Sequence, residues 1–84
     1  MEITVYSLPN CLGCRHMKTL LDRATGVTWS EVVIGTDITK EDFDAQHPDV
    51  KQTPYTIIDG VAYPDIIKVA RKLLAEGAVQ PPTE

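Results

Sequence analysis

The stretch SLPNCLGCRHMKTLL, Ser7 to Leu21, holds both cysteines of the chain, Cys11 and Cys14, with two residues between them. It follows directly from a β-branched and aromatic run, ITVYS (Ile3 to Ser7), that reads as a strand ending in a turn at Pro9-Asn10. From Cys11 onward the period changes. Met17, Leu20, Leu21 and Ala24 fall at i, i+3, i+4 and i+7, with Arg15, Lys18, Asp22 and Arg23 between them. That is the single apolar stripe of an amphipathic helix. Asn10 is expected to cap its start and Gly26 to end it, with Arg23 near the negative C-terminal end. The cysteine pair therefore lies where a strand gives way to a helix.

Working outward, TWSEVVI (Thr28 to Ile34) reads as a second strand, with Trp29, Glu31 and Val33 on one side and Ser30, Val32 and Ile34 on the other. Thr39 followed by Asp42 resembles a capping box, and Ile38 is placed to staple against Phe43. A short helix should start after Thr39 and end before His47-Pro48, because the residue preceding a proline resists helical geometry. In YTIIDGVAY (Tyr55 to Tyr63), Asp59-Gly60 stands between two β-rich runs as the favoured two-residue hairpin turn. Pro64 opens a last helix whose buried stripe is expected to be Ile66, Ala70, Leu73 and Leu74, with Ile67 beside them, and which Gly77 terminates. The order β-α-β-α-β-β-α predicts an α/β fold: a four-stranded mixed sheet with helices on both faces, the first two strands parallel and the last two an antiparallel hairpin. Residues 1–77 form one domain on this reading, and 78–84 a flexible tail.

Bulk properties narrow the function. At 84 residues the chain has room for one small core, so its chemistry should sit near the surface. The net charge of −4, with acidic and basic residues interspersed, argues against a nucleic-acid binder. No apolar run approaches the roughly 18 residues that would span a membrane, and MEITVYS lacks the features of a secretory signal. The expected setting is a reducing cytoplasm, and the expected state a monomer.

Three roles are open to Cys11 and Cys14: a structural clip, half of a metal site, or a working dithiol. A clip across so short a loop ties no distant segments together and adds the least stability. A structural zinc site needs four ligands, and the histidines, His16 and His47, stand badly for it: one faces away on the helix and the other lies far along the chain. The haem-attachment pattern is missed by one residue, because CLGCRH has Arg15 where that pattern has histidine. The dithiol reading uses the location itself. Unpaired backbone N–H groups at a helix start carry partial positive charge, and such settings lower a thiol pKa from about 8.5 to as low as about 3.5. Cys11 would then be the nucleophile that forms a mixed disulfide with a target, and Cys14 the resolving thiol that attacks Cys11 and releases it. Leu12 and Gly13 between them are expected to face the substrate and to influence how readily the pair closes. A non-catalytic module holding zinc or docking a partner through the sheet edge is the alternative from another class.

A strand, a Cys-x-x-Cys at a helix start and a later QTPYTIIDG (Gln52 to Gly60) leading into a hairpin together resemble the thioredoxin fold in its minimal, glutaredoxin form, from Ile3 to about Gly77. The resemblance implies a cis peptide bond between Thr53 and Pro54 opposite the cysteines, with both residues guiding substrate through the backbone of Thr53. It also implies that no cofactor is bound beyond the redox-active Cys11–Cys14 disulfide. Two branches differ in reductant. Glutathione-using glutaredoxins typically carry Cys-Pro-Tyr-Cys, a preceding lysine and a Gly-Gly after the hairpin; here Leu12-Gly13, Leu8 and Pro64-Asp65 occupy those places. The other branch takes electrons from thioredoxin reductase and NADPH and passes them to class Ib ribonucleotide reductase. LPNC, Gln52-x-Pro54 and YPDII resemble its segments, although its Trp-Ser-Gly-Phe stretch is missing. The expectation leans to this second branch, with a disulfide-bearing protein such as ribonucleotide reductase as target. Tyr55 and Tyr63 are expected to pack at the core or the rim of the groove, and His16 to be solvated.

Overall fold

The computed structural model describes residues 1–50 and 52–79. Its elements are β1 (Glu2–Ser7), α1 (Leu12–Arg23), β2 (Thr28–Val33), α2 (Lys40–Gln46), β3 (Tyr55–Ile58), β4 (Val61–Tyr63) and α3 (Ile66–Ala75). The four strands form one sheet in the order β2-β1-β3-β4. β1 runs parallel to β2 from Glu2↔Thr28 to Ser7↔Val33 and antiparallel to β3, which pairs antiparallel with β4. The mixed sheet anticipated from the element order is the one that forms.

Alternation along β1 decides what each face holds. Ile3, Val5 and Ser7 are buried, and with Ile58 the two aliphatic residues pack against Met17 and Leu21 of α1 and Val69 and Leu73 of α3. Tyr6 points to the opposite face. There, with Tyr55, it meets Phe43 and His47 at ring-centroid separations of 5.1 to 6.3 Å. α2 thus covers the second face with an aromatic cluster, and Tyr55 packs there rather than at a substrate groove. Tyr63 is half-buried against the main core.

Local signals explain where the elements begin and end. Thr39 caps α2, its hydroxyl accepting from the Asp42 amide at 3.0 Å. The helix stops at Gln46, with His47 as its C-cap before Pro48. Asp59 and Gly60 both take positive φ, 49° and 84°, as a type I′ hairpin turn requires. At the end of α3 the Gly77 amide donates to Leu74 O at 3.1 Å and the Ala78 amide to Leu73 O at 2.9 Å. This is the Schellman arrangement, in which Gly77 (φ 72°) supplies the left-handed residue.

Five expectations need correction. Pro64 does not open α3: the helix begins at Ile66, capped by Asp65, whose carboxylate accepts from the Lys68 amide at 2.9 Å. Asn10 does not cap α1: it adopts φ 60° in the turn, a conformation asparagine tolerates, and Cys11 becomes the N-cap. α1 ends at Arg23 with Ala24 as C-cap, so Gly26 (φ 73°) serves the following loop instead. The stripe of α3 is Ile66, Val69, Ala70 and Leu73. Ile67 and Leu74 lie roughly 80–100° round the helix from Ile66 and are exposed. Finally, Ala78 is not part of a loose tail. It is buried in the core, and its carbonyl accepts from the Thr25 amide at 2.8 Å; residues 80–84 of the expected tail lie outside the described residues.

Leu73 is fully buried at the centre of this core. Leu73→Ala is expected to cost about 2–5 kcal/mol, from lost transfer energy and the cavity left behind. Against the roughly 5–15 kcal/mol by which domains are stable, that is a large share, visible as a lowered urea midpoint in circular dichroism.

Candidate active site

Cys11 and Cys14 stand at the junction of β1 and α1 and are joined as a disulfide. Cys11 is the N-cap and Cys14 the third helical residue, so the backbone of the first turn is folded around the Cys11 sulfur. The Cys14 amide donates to Cys11 Sγ at 3.1 Å, in the geometry by which a Ser or Asp side chain ordinarily caps a helix. The pair is asymmetric: Cys11 is half-buried, whereas Cys14 is only 2% exposed. Leu12 and Gly13 lie on the outer surface, with Leu12 66% exposed.

The segment preceding β3 closes the site from the other side. The Thr53–Pro54 peptide bond is cis. The Thr53 hydroxyl lies 3.6 Å from Cys11 Sγ. Gly13 allows the close approach, since a Cβ built on it would stand 3.2 Å from Pro54 Cδ. All six residues anticipated from the sequence therefore fall within one small region. Gly13 contributes backbone clearance to it, and Thr53 contributes a hydroxyl that the sequence reading did not single out.

A polar network behind the pair was also missed. Ser7, at the end of β1, is buried and donates from its hydroxyl to Glu31 Oε2 at 2.5 Å. Glu31 lies on β2, in register with Val5, and Lys18 of α1 pairs with it at 3.2 Å. The Ser7 hydroxyl, assisted by Lys18, holds the Glu31 carboxyl below its ordinary pKa against an opposing effect of burial and of Asp37. The available signal was the alternation of β2, which puts an acidic side chain on the face otherwise occupied by Trp29 and Val33. Among the described residues no group of three or more His, Cys, Asp or Glu side chains gathers as a metal site. His16 is exposed on α1, and His47 sits in the aromatic cluster on the far face. No helix among the described residues is long and apolar enough to cross a membrane.

Neither a protein-family model nor a curated protein matches the sequence. Among solved structures the chain is similar to the thioredoxin-like protein BC3987, at 26% identity over 84% of this chain and 97% of that one, with a TM-score of 0.67. A mutant form of BC3987 gives 27% identity over 86% and 97%, with the same TM-score of 0.67. The sheet order, the three helices and this likeness together give the chain a thioredoxin-like fold, and the Cys-x-x-Cys disulfide at the head of its first helix supports a redoxin-type function.

Proposed function

We propose that this chain is a dithiol–disulfide oxidoreductase that reduces disulfides of a protein target through Cys11 and Cys14. The observation that carries the reading is the asymmetry of the pair: the half-buried Cys11, whose sulfur receives a helix-start amide at 3.1 Å, is bonded to the fully buried Cys14. Each step follows from that placement. In the dithiol form the Cys11 thiolate attacks one sulfur of the target disulfide, the target S–S bond breaks, and one target thiol departs. Among the described residues the Cys14 amide and the Thr53 hydroxyl are donors within reach of Cys11 Sγ, and hydrogen bonds to the charged form favour it. Cys14 then attacks Cys11 Sγ, forming the internal disulfide and releasing the second target thiol. A reductant must reopen that bond for the next cycle.

The surroundings favour a protein reductase with NADPH over glutathione as that reductant. Leu8 and Leu12, 42% and 66% exposed, give the site an apolar rim suited to protein contact. Position 8 is leucine rather than lysine, and Pro64-Asp65 rather than paired glycines leads into α3. Ribonucleotide reductase is the kind of disulfide-bearing target this reading has in view, in the cytoplasm, with the redoxin acting as a monomer.

The test offers oxidised protein either NADPH with thioredoxin reductase, or NADPH with glutathione and glutathione reductase, and follows absorbance at the NADPH band. Rapid consumption with thioredoxin reductase is expected. Turnover with glutathione alone would overturn the choice of reductant. Failure with both, in a protein that also leaves dithiothreitol-driven insulin reduction unaccelerated, would overturn the oxidoreductase reading itself.

A further inference from the structure

Both cysteines line a cavity of about 300 Å³ between α1 and β2, together with Asn10, Arg15, Lys18 and Glu31. Two of its three charges are matched within the fold. Lys18 pairs with Glu31 at 3.2 Å, and Ser7 donates to the same carboxylate oxygen at 2.5 Å. The other ion pairs among the described residues, Lys40–Asp44 and Lys72–Glu76, lie at α2 and α3. Arg15 thus has no carboxylate within salt-bridge reach among the described residues, although it is exposed beside the cysteine pair.

We propose that Arg15 determines specificity by binding an aspartate or glutamate that stands beside the attacked cysteine of the target protein. Arg15 follows Cys11 by four residues, and its amide donates to Cys11 O at 3.1 Å. Residues so spaced are neighbours on one helix face. A helical side chain also leans toward the N-terminus and covers the turn before its own Cα. The side chain of Arg15 is thereby directed to the turn that holds the nucleophile, where the flank of a target disulfide must pass.

The chemistry of this rim favours an acidic neighbour over other side chains. Leu8 and Leu12, 42% and 66% exposed, bring no charge to it, and Glu31 offsets Lys18. A guanidinium matches a carboxylate with two parallel hydrogen bonds, whereas a lysine on the target would meet a like charge. The chain as a whole carries a net charge of −4, which repels a target that is acidic throughout. Charges more than about 8 Å apart are largely screened at physiological salt, so the local residue decides. The target signature is therefore an acid next to the disulfide, on a surface that is otherwise neutral or basic.

The test uses three peptides, each closed by its own disulfide, with aspartate, asparagine or lysine beside both cysteines. Each is mixed with reduced protein, and its bimolecular reduction rate is divided by its rate with dithiothreitol, which removes differences in intrinsic disulfide reactivity. The aspartate peptide is expected to lead the asparagine peptide by about threefold to fivefold, the scale of one solvent-exposed ion pair. The lysine peptide should be slowest. Arg15→Gln should erase this order and leave the rate of the asparagine peptide unchanged. Arg15→Lys, which keeps the charge without the fork, should retain part of the order, and Arg15→Glu should invert it. In about 1 M salt, where the Debye length falls to about 3 Å, the wild-type order should compress. No preference in the wild type, or the same order in Arg15→Gln, would overturn the assignment. An equal loss with all three peptides would also overturn it, by placing the effect of Arg15 on the Cys11 thiol. A second readout needs no variant at position 15. In the mixed disulfide trapped by Cys14→Ser, the side-chain N–H signal of Arg15 should shift between the aspartate and asparagine peptides; identical signals would overturn the contact. This specificity rests on the oxidoreductase reading: a wild-type protein that reduces none of the peptides refutes that reading, whereas reduction of all three at one common rate refutes only the role of Arg15.

Discussion

Cys11→Ser should abolish disulfide reduction, lowering kcat/KM by roughly 10³-fold or more, the scale on which enzymes lose rate when the nucleophile is removed. The fold should scarcely notice. Cys11 is the N-cap of α1, with its sulfur accepting from the Cys14 amide, and serine is among the most favoured residues at that position. Its hydroxyl can take over the capping bond, so the helix start is retained. The internal disulfide is lost, but it closes a loop with a sequence separation of only 3, where chain-entropy stabilisation is smallest. What disappears is chemical: a hydroxyl is not ionised at neutral pH and cannot exchange with a disulfide. The measurement pairs NADPH-coupled target reduction with a thermal melt. A near-wild-type melting temperature with activity at background is the expected outcome. A variant that reduces its target at the wild-type rate would show that Cys11 is not the nucleophile.

Much of the architecture was legible because several short signals each have one physical solution. Thr39 with Asp42 before Phe43 marks a helix start, Asp59-Gly60 marks a tight hairpin, and His47-Pro48 marks a helix end; each element begins or ends there. A helix start immediately after a strand also placed the cysteines correctly. Signals with two solutions were read less well. Asparagine can cap a helix or adopt positive φ in a turn, and Asn10 is committed to the turn. In α3 the apolar residues Ile66, Ile67, Val69, Ala70, Leu73 and Leu74 outnumber the positions one stripe can bury. Which of them face inward is settled by the packing of α3 against α1, and Val69 and Leu73 win. Ala78 is buried because the Schellman turn at Gly77 directs the chain back onto Leu73, a consequence of tertiary geometry rather than composition.

The site was legible to the extent that its chemistry is local. Cys11 and Cys14 are neighbours along the chain, and their asymmetry follows from one turn of helix. The contact between Cys11 and the Thr53 hydroxyl spans 42 positions; the resemblance to a known fold put Thr53 opposite the cysteines through its backbone, and nothing in the sequence pointed to its hydroxyl. The network of Ser7, Lys18 and Glu31 joins β1, α1 and β2, and no motif marks it. Its one trace is a charged residue on the inner face of a strand. Such a position costs free energy unless the charge is paired, and Ser7 and Lys18 supply that pairing.

Cys14→Ser should act differently from the loss of Cys11, because it leaves the first attack intact and removes only the exit from it. Cys11 keeps its half-buried place at the helix start, and the backbone amide of residue 14 still reaches its sulfur. Reaction with a target disulfide should therefore proceed to a one-to-one mixed disulfide and stop, accumulating as an adduct of defined mass. Multiple turnover with thioredoxin reductase should fall to background, a loss comparable to that of Cys11→Ser. Position 14 is 2% exposed, and a buried hydroxyl without a partner costs about 1–3 kcal/mol, so a modest drop in melting temperature should accompany the block. Excess glutathione supplies a second, external thiol that can attack the adduct, and it should release the trapped target without restoring reductase-driven turnover. This contrast separates the two reductant schemes. A protein built for glutathione would lose little when Cys14 is replaced, because the external thiol resolves the adduct in its own cycle. A Cys14→Ser variant that still turns over at the wild-type rate with thioredoxin reductase, with no adduct to be found, would mean that the buried sulfur takes no part in the reaction, and the division of labour between the two cysteines would have to be abandoned.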